Sequence, residues 1–527
     1  MEKKTLKWLC QLILLFYCAS VVVSCSDDDS PAPKTPQKSI VILYENDVHC
    51  SVEGYARIAG LRNAIAASDT AYAGIVSSGD FLSGGLVGAA SMGRYIIDIM
   101  RNVGYDALTL GNHEFDFGTT WMVNLFKKFN APVVCANFFE YGASDPVYAP
   151  YVIKRYGQKR VAFVGVCTPE TMRSESYSIF DVEGNQNYDF RTNEVNELVQ
   201  RAVDNARGEG ADYVVLLAHL GDEEIEEGVY SNSVVAATRG IDVVLDAHSH
   251  HSVPHNYLKN SEGKTVIVTQ TGTQFENVGK LVITKDGNLT TELIPMKDIG
   301  YVSDFVVHTT DSVNALLAGL KARTVAISEY DLEVNGPDGK RLIRSGETNL
   351  GDLIADAFRA YKFADIGLQN GGGVRTSFKA GEISYGDIFD VLPFGTTIYK
   401  IEAKGKQILD MLQKCTAKVP EEDGNFPQVA GIRFIVHTVS HTVSDVYVQD
   451  FETGVYQPID EEKTYTIALN SFFIGGGFYD TLKTAKILEN SGELDRDVVV
   501  FYMEKKMSGT IATAYSQPQG RITMVND

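Results

Sequence analysis

The sequence predicts an α/β protein of more than one domain, and three observations carry that prediction. The chain has 527 residues, more than one ordinary hydrophobic core serves. Through its first half, short apolar runs alternate with stretches of helical periodicity, the pattern of βα units feeding a parallel sheet. Those runs end, one after another, in Asp, His or Asn. This puts polar side chains at the carboxyl edge of a sheet, where open α/β folds place their ligands. A hydrophobic fraction of 44% and a charged fraction of 22% are those of a soluble globular protein. The net charge of -21 argues against nucleic-acid polymers as partners, because they require a broad basic face. It leaves room for a small anion held locally by metal ions and a few arginines.

The N-terminus reads as a targeting segment. Lys3, Lys4 and Lys7 precede an apolar run from Leu9 to Val23 that is short for a bilayer span. Val22-Val23-Ser24-Cys25 is similar to a bacterial lipobox, which makes 1–24 a signal peptide and Cys25 the lipidated residue. Asp27-Asp28-Asp29 resembles a lipoprotein surface-export signal. Residues 25–38, with Pro31, Pro33 and Pro36, read as an extended tether. The expectation is a chain lipid-anchored in the bacterial cell envelope, at the outer membrane, facing periplasm or cell surface. Cys10 and Cys18 leave with the signal. Cys50, Cys135, Cys167 and Cys415 fit no zinc motif and no disulfide framework, and the surroundings of Cys135 and Cys167 point to packing.

The first strand candidate, Ser39 to Tyr44, is apolar throughout and runs into Asn46-Asp47-Val48-His49. In an extended Asp-x-His segment both side chains point the same way, so two ligand types converge. Tyr55 to Ala67 has helical spacing. Ala73 to Ser78 ends in Gly79-Asp80, and Arg94 to Val103 reads as a helix. Asp106 to Leu110 leads into Gly111-Asn112-His113-Glu114-Phe115-Asp116, then a helix through Trp121 to Phe129. Val133 to Asn137 and Val161 to Val166 read as strands and Asn193 to Arg207 as an amphipathic helix. Tyr213 to Ala218 ends in His219, and Ile241 to Leu245 in Asp246-Ala247-His248-Ser249-His250. Of ten histidines, His49, His113, His219, His248 and His250 fall at strand ends. His251, His255, His308, His437 and His441 lack that context and read as surface or packing residues.

The order Asp-x-His, Gly-Asp, Gly-Asn-His-Glu, His and Ala-His-x-His resembles the calcineurin-like binuclear metallophosphoesterases. The Asn112-His113-Glu114-Phe115-Asp116 form is similar to their 5′-nucleotidase family. The resemblance implies a four-layer α/β/β/α sandwich over 39–300, a linker helix over 301–323, and a second α/β, nucleotide-binding domain over 324–527. It implies two divalent ions, with Asp80 bridging, Asp47, His49 and His250 on one, and Asn112, His219 and His248 on the other. At His250 several members of the family have Gln. The mixed N/O donor set suits Zn, Mn, Co or Fe and is too His-rich for Ca²⁺ or a typical Mg²⁺ site. His113 is expected at the phosphate rather than on metal, with Asp116 orienting it and keeping it cationic. A competing role for Asp116 is capping the helix that follows. Glu114 is assigned no chemistry beyond a supporting or helix-start role.

In the second half, Phe305 to Arg323 has helical spacing, and Thr348 or Asn349 can cap a helix beginning Leu350-Gly351-Asp352. Asp365 to Gln369 reads as a strand running into Asn370-Gly371-Gly372-Gly373-Val374-Arg375, where the glycines free the backbone for close ligand approach. Val391-Leu392-Pro393-Phe394-Gly395 and Gly475-Gly476-Gly477-Phe478 resemble the family's two ring-bearing loops, which would sandwich a nucleobase with little selectivity. By the same resemblance Arg344 and Arg375 bind substrate anions, Asn370 and Gly372 contact the nucleotide, and Asp480 contacts the ribose. The second loop departs from the family's Gly-Gly-Asp-Gly-aromatic pattern: it has no Asp, and Tyr479 is an alternative ring. The expected activity is metal-dependent release of phosphate from nucleoside 5′-monophosphates. Hydrolysis of 2′,3′-cyclic nucleotides or UDP-sugars at the same site is the alternative within the family. A non-catalytic nucleotide-binding lipoprotein is the alternative of another class. Oligomeric state is not readable from the sequence.

Overall fold

The computed structural model describes residues 38–527, apart from 182–184, 223–228, 452, 475–480 and 483–484. Cys25, the expected signal and nearly all of the expected tether lie outside the described residues, as do Phe478, Tyr479 and Asp480.

The first region holds two sheets. The strands of one are β1 (Ser39–Glu45), β2 (Ala71–Ser77) and the two-residue β3 (Ala107–Leu108). The other is built from β4 (Tyr151–Tyr156), β5 (Lys159–Cys167), β6 (Tyr213–His219), β7 (Val243–Leu245), β8 (Ser252–Lys259) and β9 (Thr265–Thr271). The chain then returns to the first sheet with β10 (Asn277–Ile283) and β11 (Leu289–Pro295). The orders are β11-β10-β1-β2-β3 and β8-β9-β7-β6-β5-β4. β1, β2 and β3 are parallel, as are β5, β6, β7 and β9.

Alternation along the strands makes the layers. Ile40, Ile42 and Tyr44 of β1 pack with Val161, Phe163, Val215, Leu217, Val243 and Leu245 of the other sheet, forming the core between sheets. The opposite faces carry Val41, Leu43 and Ile75 on one sheet, and Val164, Val214 and Leu216 on the other. The first set packs on α1 (Glu53–Ala67) and α2 (Arg94–Val103), the second on α4 (Val195–Gly208). Between them in sequence lies α3 (Thr119–Phe126). Helix, sheet, sheet, helix is the arrangement the family resemblance implies, and strands covered on both faces explain the unbroken apolar runs.

Val133 to Asn137 does not form the predicted strand. It makes isolated bridges only, Leu108 with Val133 and Val134 with Ala149. The reason is that it crosses between sheets: Val134 N donates to Leu108 O at 2.8 Å, and Ala136 N to Gly165 O at 2.8 Å.

Helix α5 (Asp304–Lys321) follows, buried along Val306, Thr310, Val313 and Leu317 and leaving Leu316 58% exposed. It packs on α1 and α2 on one side and on α7 (Tyr385–Val391) on the other. Among the described residues no sheet takes strands from both sides of α5. Beyond it, α6 (Asn349–Lys362) is capped by Thr348, whose Oγ1 accepts from Gly351 N at 3.1 Å. Asn349 instead bonds Glu333 N and the carbonyls of Asp331 and Tyr515. The second region centres on a mixed five-stranded sheet. Its strands are β12 (Ile366–Asn370), β13 (Thr397–Lys404), β14 (Pro427–Ala430), β15 (Thr464–Asn470) and β16 (Lys486–Leu494), in the order β14-β12-β15-β13-β16. β12 and β15 are parallel and both end in Asn, at Asn370 and Asn470. After β16 comes the short helix α8 (Asp495–Phe501).

Candidate active site

The carboxyl ends of β1, β2, β3, β6 and β7 bring together the side chains that the sequence singles out. Asp47, His49, Asp80 and His250 each offer a ligand atom within 4.8 Å of the others and could hold a metal ion. Asp80 Oδ2 is 3.3 Å from His219 Nε2 and 3.8 Å from His49 Nε2, and so stands between two imidazoles. Asp47 Oδ1 is 3.5 Å from His250 Nε2 and 3.9 Å from His219 Nε2. His219 and His248 lie with ring centroids 5.2 Å apart. Asn112 is buried just after Gly111. At Gly111 a Cβ would lie 2.2 Å from Asp80 Oδ1 and 2.5 Å from His219 Cε1, so only glycine lets this turn close on the cluster.

The donor set fits a pair of divalent ions on three counts. Asp47 Oδ1, Asn112 Oδ1 and His219 Nε2 are buried without hydrogen-bond partners, a costly arrangement unless another group takes those lone pairs. The tautomers suit ligation: His219 Nδ1 donates to Ser78 O at 2.8 Å and His49 Nδ1 to Ser83 O at 3.3 Å, which turns both Nε2 atoms inward. And the backbone is held in the left-handed region at Asp47 (φ 50°), His49 (43°), Asp80 (59°), His248 (82°) and His250 (58°). Strain of this kind persists only where the surroundings over-determine it, and it clusters at functional sites.

Charge follows geometry. Burial opposes ionisation of Asp80, yet His219 and His113 beside it hold its carboxyl well below the usual range. Burial also opposes a charged His219, but Asp80 outweighs it and raises that imidazole to about 10. His250 is raised by the Asp47 carboxylate beside it, whereas burial lowers His49 despite Asp80.

His113 sits at the rim, its side chain 41% exposed, with its ring edge-on to His49 at 5.2 Å. Its Nδ1 is 3.1 Å from both carboxylate oxygens of Asp116, and Asp116 Oδ2 accepts from Ser83 Oγ at 2.5 Å. Burial would lower this histidine, but Asp116 and Asp80 hold it well above the ordinary value. Asp116 does not cap the next helix; Gly118 occupies that position. Glu114, by contrast, is busier than its sequence reading. Its carboxylate accepts from the backbone N–H of Asp80 (2.8 Å), Phe81 (2.9 Å), Leu82 (3.0 Å) and Gly111 (2.6 Å), tying two ligand loops together.

Two supporting residues escaped the sequence reading. Glu170 Oε2 is 2.9 Å from His248 Nε2, which leaves Nδ1 as that ring's remaining donor atom, and Arg173 fixes Glu170 at 2.9 Å. Asp222 Oδ1 takes Ser249 Oγ at 2.5 Å and His251 Nδ1 at 3.0 Å, so His251 braces the loop of His248 and His250 rather than lying idle. Neither acid neighbours a histidine in sequence, and no local signal marked them.

The second region carries a cleft of 390 Å³ at the ends of β12 and β15, lined by Asn370, Gly372, Gly373, Phe394, Thr396, Gly424, Asn425, Asn470, Phe472 and Asp495. Phe394 is 62% and Phe472 48% exposed, unusual for rings and suited to stacking a flat ligand. The sequence points to Phe478, which lies outside the described residues; the ring found beside Phe394 is Phe472, ahead of the glycine run. Gly372 packs so closely on Gly424 that a Cβ would sit 2.9 Å from Gly424 O. The Arg375 guanidinium carbon is 5.7 Å from the Phe394 ring centroid, and Arg375 donates to Gly372 O at 3.2 Å. Arg341, unmarked in the sequence, joins Arg344 and Arg375: burial, then those two charges, lower its pKa. The Nε atoms of Arg341 and Arg344 are buried without partners.

Comparison with known proteins agrees with this geometry. Residues 331–484 match the family described as 5'-nucleotidase, C-terminal domain. Residues 61–269 match the one described as Bacterial capsule synthesis protein PGA_cap. The chain is 26% identical to the 5'-nucleotidase of Bos taurus, over 92% of this chain and 90% of that protein. It is 25% identical to Protein UshA of Escherichia coli, over 80% of this chain and 81% of that one. The Trifunctional nucleotide phosphoesterase protein YfkN of Bacillus subtilis is 27% identical over 91% of this chain, which spans only 35% of that longer protein. Among solved structures, the 5'-nucleotidase precursor of Thermus thermophilus has a TM-score of 0.60 at 27% identity, covering 93% of this chain and 100% of that one. A putative 5'-nucleotidase of Staphylococcus aureus, 18% identical over 92% of this chain and 100% of that one, shares the fold with a TM-score of 0.67. Strand-end ligands, an aromatic cleft in the matched C-terminal region and these likenesses together make the chain similar to 5′-nucleotidases over most of its length, with the family match itself confined to residues 331–484.

Proposed function

We propose that this protein hydrolyses nucleoside 5′-monophosphates to nucleoside and phosphate in a metal-dependent reaction. The observation that carries the reading is Asp80, whose Oδ2 lies within 3.8 Å of the inward nitrogens of both His49 and His219. Only a carboxylate at such a point offers lone pairs to two cations at once. Asp47, His49 and His250 would hold one ion and Asn112, His219 and His248 the other. When bound, the two ions supply an acidified water and draw charge from the phosphoryl oxygens.

The chain's own residues do the rest. His113, with Nδ1 on Asp116, keeps Nε2 for a phosphoryl or leaving-group oxygen, and its positive charge offsets charge developing there. Arg344 and Arg375, with Arg341 beside them, hold the substrate anion, which suits guanidinium forks. Phe394 and Phe472 stack the base, and Asn370 and Gly372 line its seat.

Hydrolysis of 2′,3′-cyclic nucleotides or UDP-sugars uses the same parts, so a substrate panel with Mn²⁺ is the test. Nucleoside 5′-monophosphates are expected to exceed both classes in kcat/KM by about tenfold or more, roughly 1.4 kcal/mol in barrier. A higher value for either class reassigns the substrate. The proposal extends to location: the sequence supports lipidation at Cys25 and attachment to the cell envelope. Cys25→Ala is expected to move the protein from the membrane to the soluble fraction, and unchanged fractionation contradicts the anchor.

A further inference from the structure

Phe363 is 66% exposed, more than any other large apolar side chain among the described residues. It closes α6 in the left-handed region, with φ 49° and ψ 54° and its N–H on Arg359 O. Glycine is the usual residue at such a helix end, because it adopts this backbone without strain. The chain instead sets a phenyl ring there and leaves it in water, which packing within the fold does not explain.

Neighbouring elements bring further rings and basic groups to the same place. Tyr361 of α6 meets Phe501, at the end of α8, edge-on at 5.3 Å, and Phe501 is itself 38% exposed. Beyond α8 the chain makes a π-turn over Tyr502–Lys506, a rare geometry that recurs at functional sites. That turn sets Lys506 Nζ 6.0 Å from the centre of the Phe363 ring. From β13, Lys400 Nζ donates to Phe363 O at 3.1 Å. Lys505 and Lys506 are exposed, and neither pairs with a carboxylate among the described residues. The acids close by are engaged: Glu489 and Glu493 share the buried Lys362 at 2.8 and 3.0 Å, and Glu504 pairs with Arg323. A chain of net charge -21 thus carries, at this one face, exposed rings ringed by lysines.

We infer that this face, Phe363 and Phe501 with Lys400, Lys505 and Lys506, docks on an anionic lipid surface. Rings in polar surroundings settle at the headgroup level of a bilayer, and lysines beside them are attracted to anionic headgroups. No helix among the described residues is long and apolar enough to cross a membrane, so the contact is with the surface. Attachment by two signals is far firmer than by one, and the face would add a second to lipidation at Cys25. The inference does not depend on the nucleotidase reading, and the face acts with or without the anchor.

The test is fluorescence quenching of full-length Phe363→Trp by vesicles with brominated acyl chains, of phosphatidylglycerol in one arm and phosphatidylcholine in the other. The wild-type chain, with Trp8 and Trp121, gives the background. Phosphatidylglycerol should quench about half or more of the introduced indole's emission, since rings of surface-bound segments sit at the acyl boundary. Phosphatidylcholine should quench little of it, and 0.5 M salt should reverse the effect. Adding Lys505→Gln and Lys506→Gln should remove most of the quenching, each charge shifting the docked population by about fivefold. Phe363→Gly should raise the unfolding midpoint, because glycine suits the left-handed end of α6. Quenching no greater than background, or equal in both lipids, overturns the inference. So does a marked fall in the midpoint of Phe363→Gly, which would make the ring a structural one. Protein that binds both vesicles through its anchor yet is quenched in neither has the anchor without the docking face. An indole unquenched by lipid but buried against an acidic protein assigns the face to that partner instead.

Discussion

The cluster around Asp80 and the C-terminal cleft are built by opposite means. Around Asp80 the side chains of Asp47, Asn112 and His219 are buried while His250 is exposed, several ligand atoms lack partners, and the backbone is turned into the left-handed region at five of the residues that meet there. Around Phe394 the rings are exposed and the seat is made of glycine turns and amides, with Asn470 donating to Gln369 Oε1 and Asn370 to Gly424 O. Metal ligation demands particular atoms at particular points, and the fold stores strain to supply them. Base stacking asks only for flat apolar surface at the right separation, and many residues can provide it. One is therefore specified by residue identity and the other by shape.

If the two are independent devices, changes at one should spare the other. Asp80→Ala removes the shared carboxylate; kcat/KM should fall by about 10³-fold or more, several kcal/mol of lost charge stabilisation, with metal content falling too. Its affinity for adenosine should be unchanged, and a parallel loss of nucleoside binding would break the separation.

His113→Ala divides the cluster itself. Its kcat should drop by about 10²- to 10³-fold with both ions retained by elemental analysis, because Asp116 engages the Nδ1 of His113. Loss of metal along with activity would make it a ligand instead. Glu170→Gln acts only through His248 and should weaken metal affinity by about 10- to 100-fold, with metal-saturated kcat nearly restored.

Metal loading should also depend on pH with a definite sign. His219 is raised to about 10 by Asp80, so near neutrality its Nε2 carries a proton that an incoming cation must displace. Binding therefore releases protons, and apparent metal affinity should rise from pH 6 to pH 8; calorimetry in buffers of different ionisation enthalpy reads the proton count. Proton uptake on binding would contradict it. The smallest effect belongs to the cleft. Phe472→Ala and Phe394→Ala should each raise KM for a nucleoside monophosphate by about tenfold, one stacking contact, and leave p-nitrophenyl phosphate nearly unaffected. Equal effects on both substrates would remove the stacking role.

This contrast also explains what the sequence disclosed. Asp47, His49, Asp80, His219 and His250 were legible because few residue types ligate metals and each stood at the end of an apolar run. The buried strands were legible for a related reason, since strands covered on both faces are apolar throughout, whereas their stacking in four layers came from the family resemblance. Glu170 and Asp222 were not, since they brace His248 and His251 from loops remote in sequence, and only the fold brings them near. Glu114 was visible in its motif, but its four backbone partners were not. Phe472 was not legible, since only exposure, and not residue type, distinguishes it from its buried neighbour Phe473. Val133 to Asn137 has a strand's composition yet crosses between two sheets, a tertiary fact that no local pattern encodes.

The most direct test of the central claim is AMP hydrolysis by protein stripped of metal and then titrated with Mn²⁺, with p-nitrophenyl phosphate measured in parallel. The account predicts negligible turnover by the stripped protein, recovery complete at two ions per chain, and a kcat/KM for AMP far above that for p-nitrophenyl phosphate. Turnover of AMP that persists without metal, or recovery complete at one ion, would contradict it.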